Sequence, residues 1–129
     1  MFFDASVRQA PRHLDDYLAA DHVTVVHEPH RALEIDRFLA DGLQQPRRFV
    51  ATVPAFSGIP PFLRGSALLA TLPGLLRLEL LRGFGHAGLP VDVPEMPMYM
   101  VWHARRQSDP VHRWLRDELL AVVPQAVGP

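Results

Sequence analysis

Apolar and polar positions fall into short blocks along this chain, and the blocks switch between a strand-like and a helix-like period. Phe2–Val7 reads as a short extended segment. His13–Ala20 puts Leu14, Tyr17 and Leu18 on one face, with Asp15 and Asp16 in the first turn, where a helix dipole favours acids. His22–Val26 is a β-branched run that predicts a buried strand. Arg31–Asp41 predicts a helix with Ile35, Phe38 and Leu39 on one face and Gly42 placed to cap it. Arg47–Val53 predicts a second strand and Phe56–Leu63 a short helix, with Pro60 tolerable only in its first turn. Ser66–Leu72 is a third strand-like run, and Pro73 opens a leucine-rich helix over Gly74–Leu81. Gly83–Gly88 reads as a loop and Leu89–Val93 as extended. Pro97–His103 predicts a last strand and Asp109–Val123 a last helix, with Asp109 as N-cap and Pro110 at the first helical position. Val111, Trp114, Leu115, Leu119 and Val122 form its apolar stripe.

Strands alternating with helices predict an α/β fold with a mostly parallel sheet flanked by helices. No internal repeat, low-complexity run or linker interrupts the series.

Composition narrows the function. The chain has 129 residues, 48% hydrophobic and 21% charged, enough for one domain with a modest core. Its net charge of −1 argues against direct nucleic-acid binding by this segment, since phosphate backbones call for clustered cations. There is no cysteine, so no disulfide or thiolate chemistry, which fits a cytoplasmic protein. Met1–Ala10 lacks signal-peptide character. No apolar run approaches the roughly twenty residues of a membrane span. Thirteen prolines cut the chain into short elements.

The chemical candidates are weak as catalysts. His22, His27 and His30 match no compact zinc pattern, and on an alternating strand His22 and His27 point to opposite faces. No metal or cofactor is expected. Asp15 and Asp16 are adjacent on a helix and do not form an acid/base pair. Phe56-Ser57-Gly58 resembles part of a nucleophile elbow but has Ala55 where the first glycine belongs, and Pro60 follows. A hydrolase using Ser57 with His86 or His103 has no acid placed by spacing. Arg64-Gly65-Ser66 is most simply a turn. Arg105-Arg106 reads by default as a solvated basic turn.

One place has a sharper physical logic. The strand ending at Val53-Pro54 feeds a helix start at Ala55–Gly58, and ligands of open α/β sheets bind outside the carboxyl ends of strands. Free N–H groups at such a start attract carboxylates. Val26-His27 would open on the same rim, with Phe56 as apolar wall and Ser57 as hydroxyl. The competing reading places Phe56 in the core and leaves Ser57 as a cap.

The ordered blocks also resemble a known family. They are Leu14-Asp15-Asp16-Tyr17-Leu18-Ala19-Ala20 running into His22-Val23, Asp36-Arg37-Phe38-Leu39-Ala40, Val53-Pro54-Ala55-Phe56, and Leu68-Leu69-Ala70-Thr71-Leu72-Pro73. Leu89-Pro90-Val91, Trp102-His103, and Asp109-Pro110 before His112-Arg113-Trp114-Leu115-Arg116 complete the series. Together they resemble the C-terminal part of the effector-binding domain of LysR-type transcriptional regulators, with Asp21 where proline is common. The resemblance implies one lobe of a type II periplasmic-binding-protein-like domain over about residues 22–93. Residues 1–21 and 94–129 are then crossing and return segments toward a first lobe. It also implies that the helix-turn-helix, the linker helix and most of that lobe have no counterpart in these residues, so that DNA would be reached only through a domain outside them.

The implied function is effector sensing in transcription control, not catalysis. On this topology the candidate contacts are His27 (hydrogen-bond donor), Phe56 (packing against an apolar or aromatic body), Ser57 with the following N–H groups (carboxylate), and Thr71 (polar rim). The uncovered stripe of the last helix, like the family's own dimerisation, leads us to expect a homodimer or higher oligomer. A second reading is a stand-alone solute-binding or oligomerisation module unconnected to DNA.

Overall fold

In the computed structural model, which describes residues 1–27, 31–43 and 45–127, the chain forms two compact units, Met1–Pro94 and Glu95–Pro129. The β-branched run expected to be buried is the central strand of the first unit. Strand β1 is Phe2–Phe3, helix α1 is Leu14–Ala19, and strand β2 is Asp21–His27. Strand β3 (Arg31–Ala32), helix α2 (Glu34–Gly42) and strand β4 (Arg48–Val53) follow. Helix α3 (Ile59–Leu63) and strand β5 (Gly85–His86) complete the regular elements of this unit, apart from 3-10 turns.

β2 lies between β3 and β4. It runs parallel to β4, with Val25 opposite Val53, and antiparallel to β3, with Val26 opposite Ala32. Its amino-terminal half also bridges Leu69 in parallel. The Leu69–Ala70 pair passes the sheet on to β1 through a Phe2–Ala70 bridge, and β1 pairs with β5. Successive side chains on these strands alternate between two apolar clusters. Phe2, Val23, Val25 and Ala70 pack with Ile59 and Leu63 of α3 in one cluster, while Phe3 and Leu69 pack with Met1 and Tyr17 of α1 in the other. Residues 1–21, which the sequence groups with a crossing segment, are therefore built into the first unit.

Several expected elements are shorter than the apolar pattern suggests. The extended start stops after Phe3 because Asp4 turns the chain: its carboxylate accepts from the Ser6 amide and hydroxyl and from the Gly65 amide. The helix expected from Arg31 begins at Glu34, since Arg31–Ala32 pairs with the end of β2. Gly42 lies in its last turn and Leu43 is the C-cap. The Phe56–Leu63 helix divides into a 3-10 turn over Phe56–Gly58 and α3, with Pro60 and Pro61 in the first turn of α3, where missing N–H groups do no harm. The Ser66–Leu72 strand is reduced to the bridges at Leu69 and Ala70, and the Gly74–Leu81 helix to a 3-10 stretch over Gly74–Leu78. The Gly83–Gly88 loop contains β5.

In the second unit, Pro97–His103 is not a strand. A 3-10 turn over Ala104–Arg106 leads to helix α4 (Pro110–Val127). Asp109 caps that helix as expected, accepting from the Val111 and His112 amides at 3.0 and 3.3 Å. α4 runs past Val123 and through Pro124, where the missing N–H leaves the Leu120 carbonyl without its helical partner. Its start is braced from behind. Arg116 lies 4.6 Å from the centre of the Trp102 ring and donates to the Arg106 and Gln107 carbonyls, and Arg106 pairs with Asp109 at 2.9 Å. Arg106 of the Arg105-Arg106 pair is thus engaged rather than simply solvated.

Candidate functional site

The parallel pairing of β2 and β4 brings their carboxyl ends to one edge of the sheet. There the His27 Nδ1 lies 3.2 Å from the Pro54 carbonyl, and the His27 ring meets the Phe56 ring edge-on, with centroids 5.9 Å apart and an 83° angle between planes. Three of the four expected contact residues thus fall within one short stretch of surface. Phe56 is half-buried and packs on the cluster under α3, so it is both core and wall. Ser57 is exposed and is not a cap: Ala55 holds the N-cap position of the 3-10 turn, with no side-chain hydrogen bond. Among the described residues no hydrogen bond joins Ser57 to a histidine. His30 lies outside the described residues.

Two details change the chemistry expected at this edge. The amides that follow Ser57 are not free, because Gly58 N–H donates to the Ala55 carbonyl and Ile59 N–H to the Phe56 carbonyl. The polar side chains left for a ligand are the Ser57 hydroxyl and His27. A carbonyl can only accept, so the His27 Nδ1–H donates to Pro54, and Nε2 of the neutral ring is an acceptor. His27 donates a second hydrogen bond only as an imidazolium.

Thr71 is placed elsewhere. It is 4% exposed, and its hydroxyl is 2.7 Å from the Tyr17 hydroxyl inside a buried polar chain. Arg47 donates to the Tyr17 hydroxyl at 3.2 Å and to Asp36 Oδ1 at 2.8 Å, and the Thr24 hydroxyl donates to Asp36 Oδ2. The Arg47 and Asp36 side chains are 3% and 6% exposed, so this ion pair is taken out of water. The Arg47 guanidinium also stacks over Phe49, 4.9 Å from the ring centre. Thr71 is thus not a rim residue: Tyr17 holds it inward, linking α1 to the chain after the Leu69–Ala70 bridge.

His22 belongs to the same region. Its Nε2 lies 2.9 Å from the Tyr17 carbonyl, and its ring packs edge-on against Tyr17 at 4.9 Å between centroids. The acceptor fixes the neutral tautomer with the proton on Nε2. The other nitrogen, Nδ1, is buried without a partner among the described residues, so a second proton there would find no acceptor. Burial holds the imidazole below its ordinary value, and nearby Arg47 adds to this against the opposing pull of the Tyr17 carbonyl and Asp36. No group of three or more potential metal-ligating side chains is found among the described residues, and no helix there is long and apolar enough to cross a membrane.

No family model matches the chain. It is 34% identical over 128 residues to Nodulation protein D 1 of Mesorhizobium japonicum, covering 95% of this chain and 40% of that protein. It is 30% identical over 124 residues to the HTH-type transcriptional activator NagR of a Ralstonia species, covering 92% of this chain and 40% of that protein. The chain therefore spans about two fifths of the length of these curated relatives. Its structure matches the regulatory domain of MexT, a transcriptional activator in Pseudomonas aeruginosa, with a TM-score of 0.70 and 27% identity, over 92% of this chain and 60% of that one.

Two outcomes follow from the buried chain. Asp36→Ala leaves the Arg47 charge buried and unpaired, and urea unfolding should show a loss of about 3–5 kcal/mol. Replacing both residues (Asp36→Ala with Arg47→Met) should destabilise less than Asp36→Ala alone. His22 binds its second proton more readily unfolded than folded, so its contribution is complete above the unfolded value of about 6.5 and declines as pH falls below it. Unfolding between pH 7.5 and 5 should show that decline, and His22→Asn should flatten it.

Proposed function

From a chain that belongs with the effector-binding domains of LysR-type transcriptional regulators, and has their periplasmic-binding-protein-like α/β fold, we propose that it senses a small carboxylate or aromatic molecule at the His27–Phe56 edge. The observation that carries this reading is the edge-on His27–Phe56 pair beside the exposed Ser57 hydroxyl, where two parallel strands end. Phe56 supplies an apolar face, Ser57 a donor, and the neutral His27 ring an acceptor through Nε2. A planar body that also carries a carboxylate or a hydroxyl matches this set. Binding shifts a conformational equilibrium of the regulator only if these contacts differ between its states. DNA is then reached through a helix-turn-helix domain outside these 129 residues, in the cytoplasm, and the segment itself catalyses no reaction. Thr71 acts in this scheme only indirectly, by fixing the strands from within.

The reading extends to self-association. No residue of α4 is buried, and Val111, Trp114, Leu115, Leu119 and Val122 are between 41% and 71% exposed. Apolar surface of that extent favours a dimer built on this stripe. A stand-alone module would show the same stripe, but its relatives would not be named as transcriptional regulators.

Benzoate serves as the probe of the edge. Its titration should shift the amide resonances of His27, Phe56 and Ser57 in a saturable way, and Phe56→Ala should weaken binding about tenfold. Unchanged affinity in that variant removes the assignment. In sedimentation equilibrium the chain should exceed monomer mass at high concentration, and Trp114→Asp with Leu115→Asp should return it to monomer. A strictly monomeric parent chain defeats the dimer.

A further inference from the structure

A concave surface lies on the first unit, built from side chains that the strand-end edge does not use. The segment leading into α1 and one face of that helix border a shallow, open cleft of about 480 Å³, within the range of about 300–1,000 Å³ typical of small-molecule sites. Arg8, Arg12, His13 and Asp16 line it together with small apolar side chains such as Ala19 and Ala20.

The charges in this cleft do not balance. Arg8 is half-buried, and its guanidinium is fixed by two carbonyls: Nε donates to Gln9 at 3.2 Å and Nη1 to Ala67 at 2.7 Å. Carbonyls orient a guanidinium but do not neutralise it, and three of its five N–H groups remain for another acceptor. Asp16 is the acid that acts on Arg8, yet the two form no ion pair, and burial weighs against the Arg8 charge more than Asp16 supports it. Arg12 is exposed and makes no hydrogen bond or ion pair among the described residues, and the His13 ring is equally free there. Two guanidinium groups and an imidazole therefore meet one carboxylate, beside a small apolar floor. A planar guanidinium already held at its stem matches the paired oxygens of a carboxylate or phosphate.

We propose that this cleft is an anion site, taking the carboxylate or phosphate of a small organic molecule between Arg8 and Arg12, with His13 at the rim and the apolar body on Ala19 and Ala20. It does not depend on the strand-end assignment, since no residue is shared between the two places.

Arg8 also ties its segment to Ala67, so the test substitutes Arg12 and His13, which hold nothing else in place. Inorganic phosphate and citrate are titrated separately into the 129-residue chain at constant ionic strength, because surface charge effects are screened by salt. The readout is the amide resonances. At least one anion should produce saturable shifts centred on Gln9, Arg12, His13 and Asp16. Arg12→Gln should weaken that binding at least about fivefold, as expected for loss of a charge-assisted contact. Saturation by phosphate alone assigns the site to phosphate-bearing ligands, and by citrate alone to carboxylates; saturation by both assigns it to their shared charge. The proposal is overturned if neither anion saturates there, or if the Arg12→Gln, His13→Asn double variant binds as the parent does. Unchanged resonances elsewhere in the variants verify that the fold is intact.

Discussion

The first unit depends on one buried cation. Arg47 sits just before β4, and its guanidinium reaches Asp36 of α2 and the Tyr17 hydroxyl of α1, while Tyr17 in turn meets Thr71. Thr24 of β2 completes the acceptor side of Asp36. Two helices, the central strand, the start of its parallel neighbour and the segment behind Leu69 thus share one set of hydrogen bonds. A buried ion pair is weak grounds for added stability, because desolvation offsets much of the attraction. Its effect is on arrangement: groups this deep tolerate few other geometries once each donor has an acceptor. On the opposite face of β2, Val23 and Val25 pack against Ile59 and Leu63.

The order of elements was legible in the sequence where apolar periodicity and burial agree. His22–Val26 lies within β2 and Arg47–Val53 contains β4, because their β-branched residues belong to a sheet covered on both faces at β2. Asp109 was legible as a cap because an acid before proline satisfies free amides at a helix start. The misses share a cause. Ser66–Leu72 and Gly74–Leu81 are apolar because they fill the core, and burial alone does not distinguish a ladder from a bridge or an α-helix from a 3-10 stretch. Phe2–Val7 failed because Asp4 offers the backbone a local hydrogen-bonded turn, which competes with strand pairing.

The candidate edge was legible from topology, since a strand feeding directly into a helix start places its end residues on a rim. What could not be read there was the direction of each hydrogen bond. The Pro54 carbonyl decides which His27 nitrogen carries the proton, and the 3-10 turn consumes the amides of Gly58 and Ile59. Thr71 was misplaced for a related reason: a threonine near a strand end suits a rim and a buried network equally well until its partner is known. Arg47, Asp36 and Tyr17 carried no usable signal: Arg47 stands beside Arg48, Asp36 beside Arg37 and Tyr17 beside Asp16, so the sequence does not separate a buried charge from a solvated one.

The two ends of β2 then differ in a way that bears on sensing. At residues 22–24 the strand is held by His22 to the Tyr17 carbonyl and by Thr24 to Asp36, both buried. At residue 27 it is held on the β4 side by one exposed hydrogen bond to Pro54 and an edge-on ring contact. Exposed hydrogen bonds of this kind contribute about 0.5–1.5 kcal/mol, and aromatic pairs a similar amount. A small ligand can therefore compete with the contacts at the carboxyl end without disturbing those at the amino end. On the sensing role proposed above, adaptable side chains on a fixed strand hold the site in place while leaving its contacts free to exchange for those of a ligand. Such a site can convert occupancy into a defined change of state, because a ligand shifts an equilibrium only by its difference in affinity for the two states.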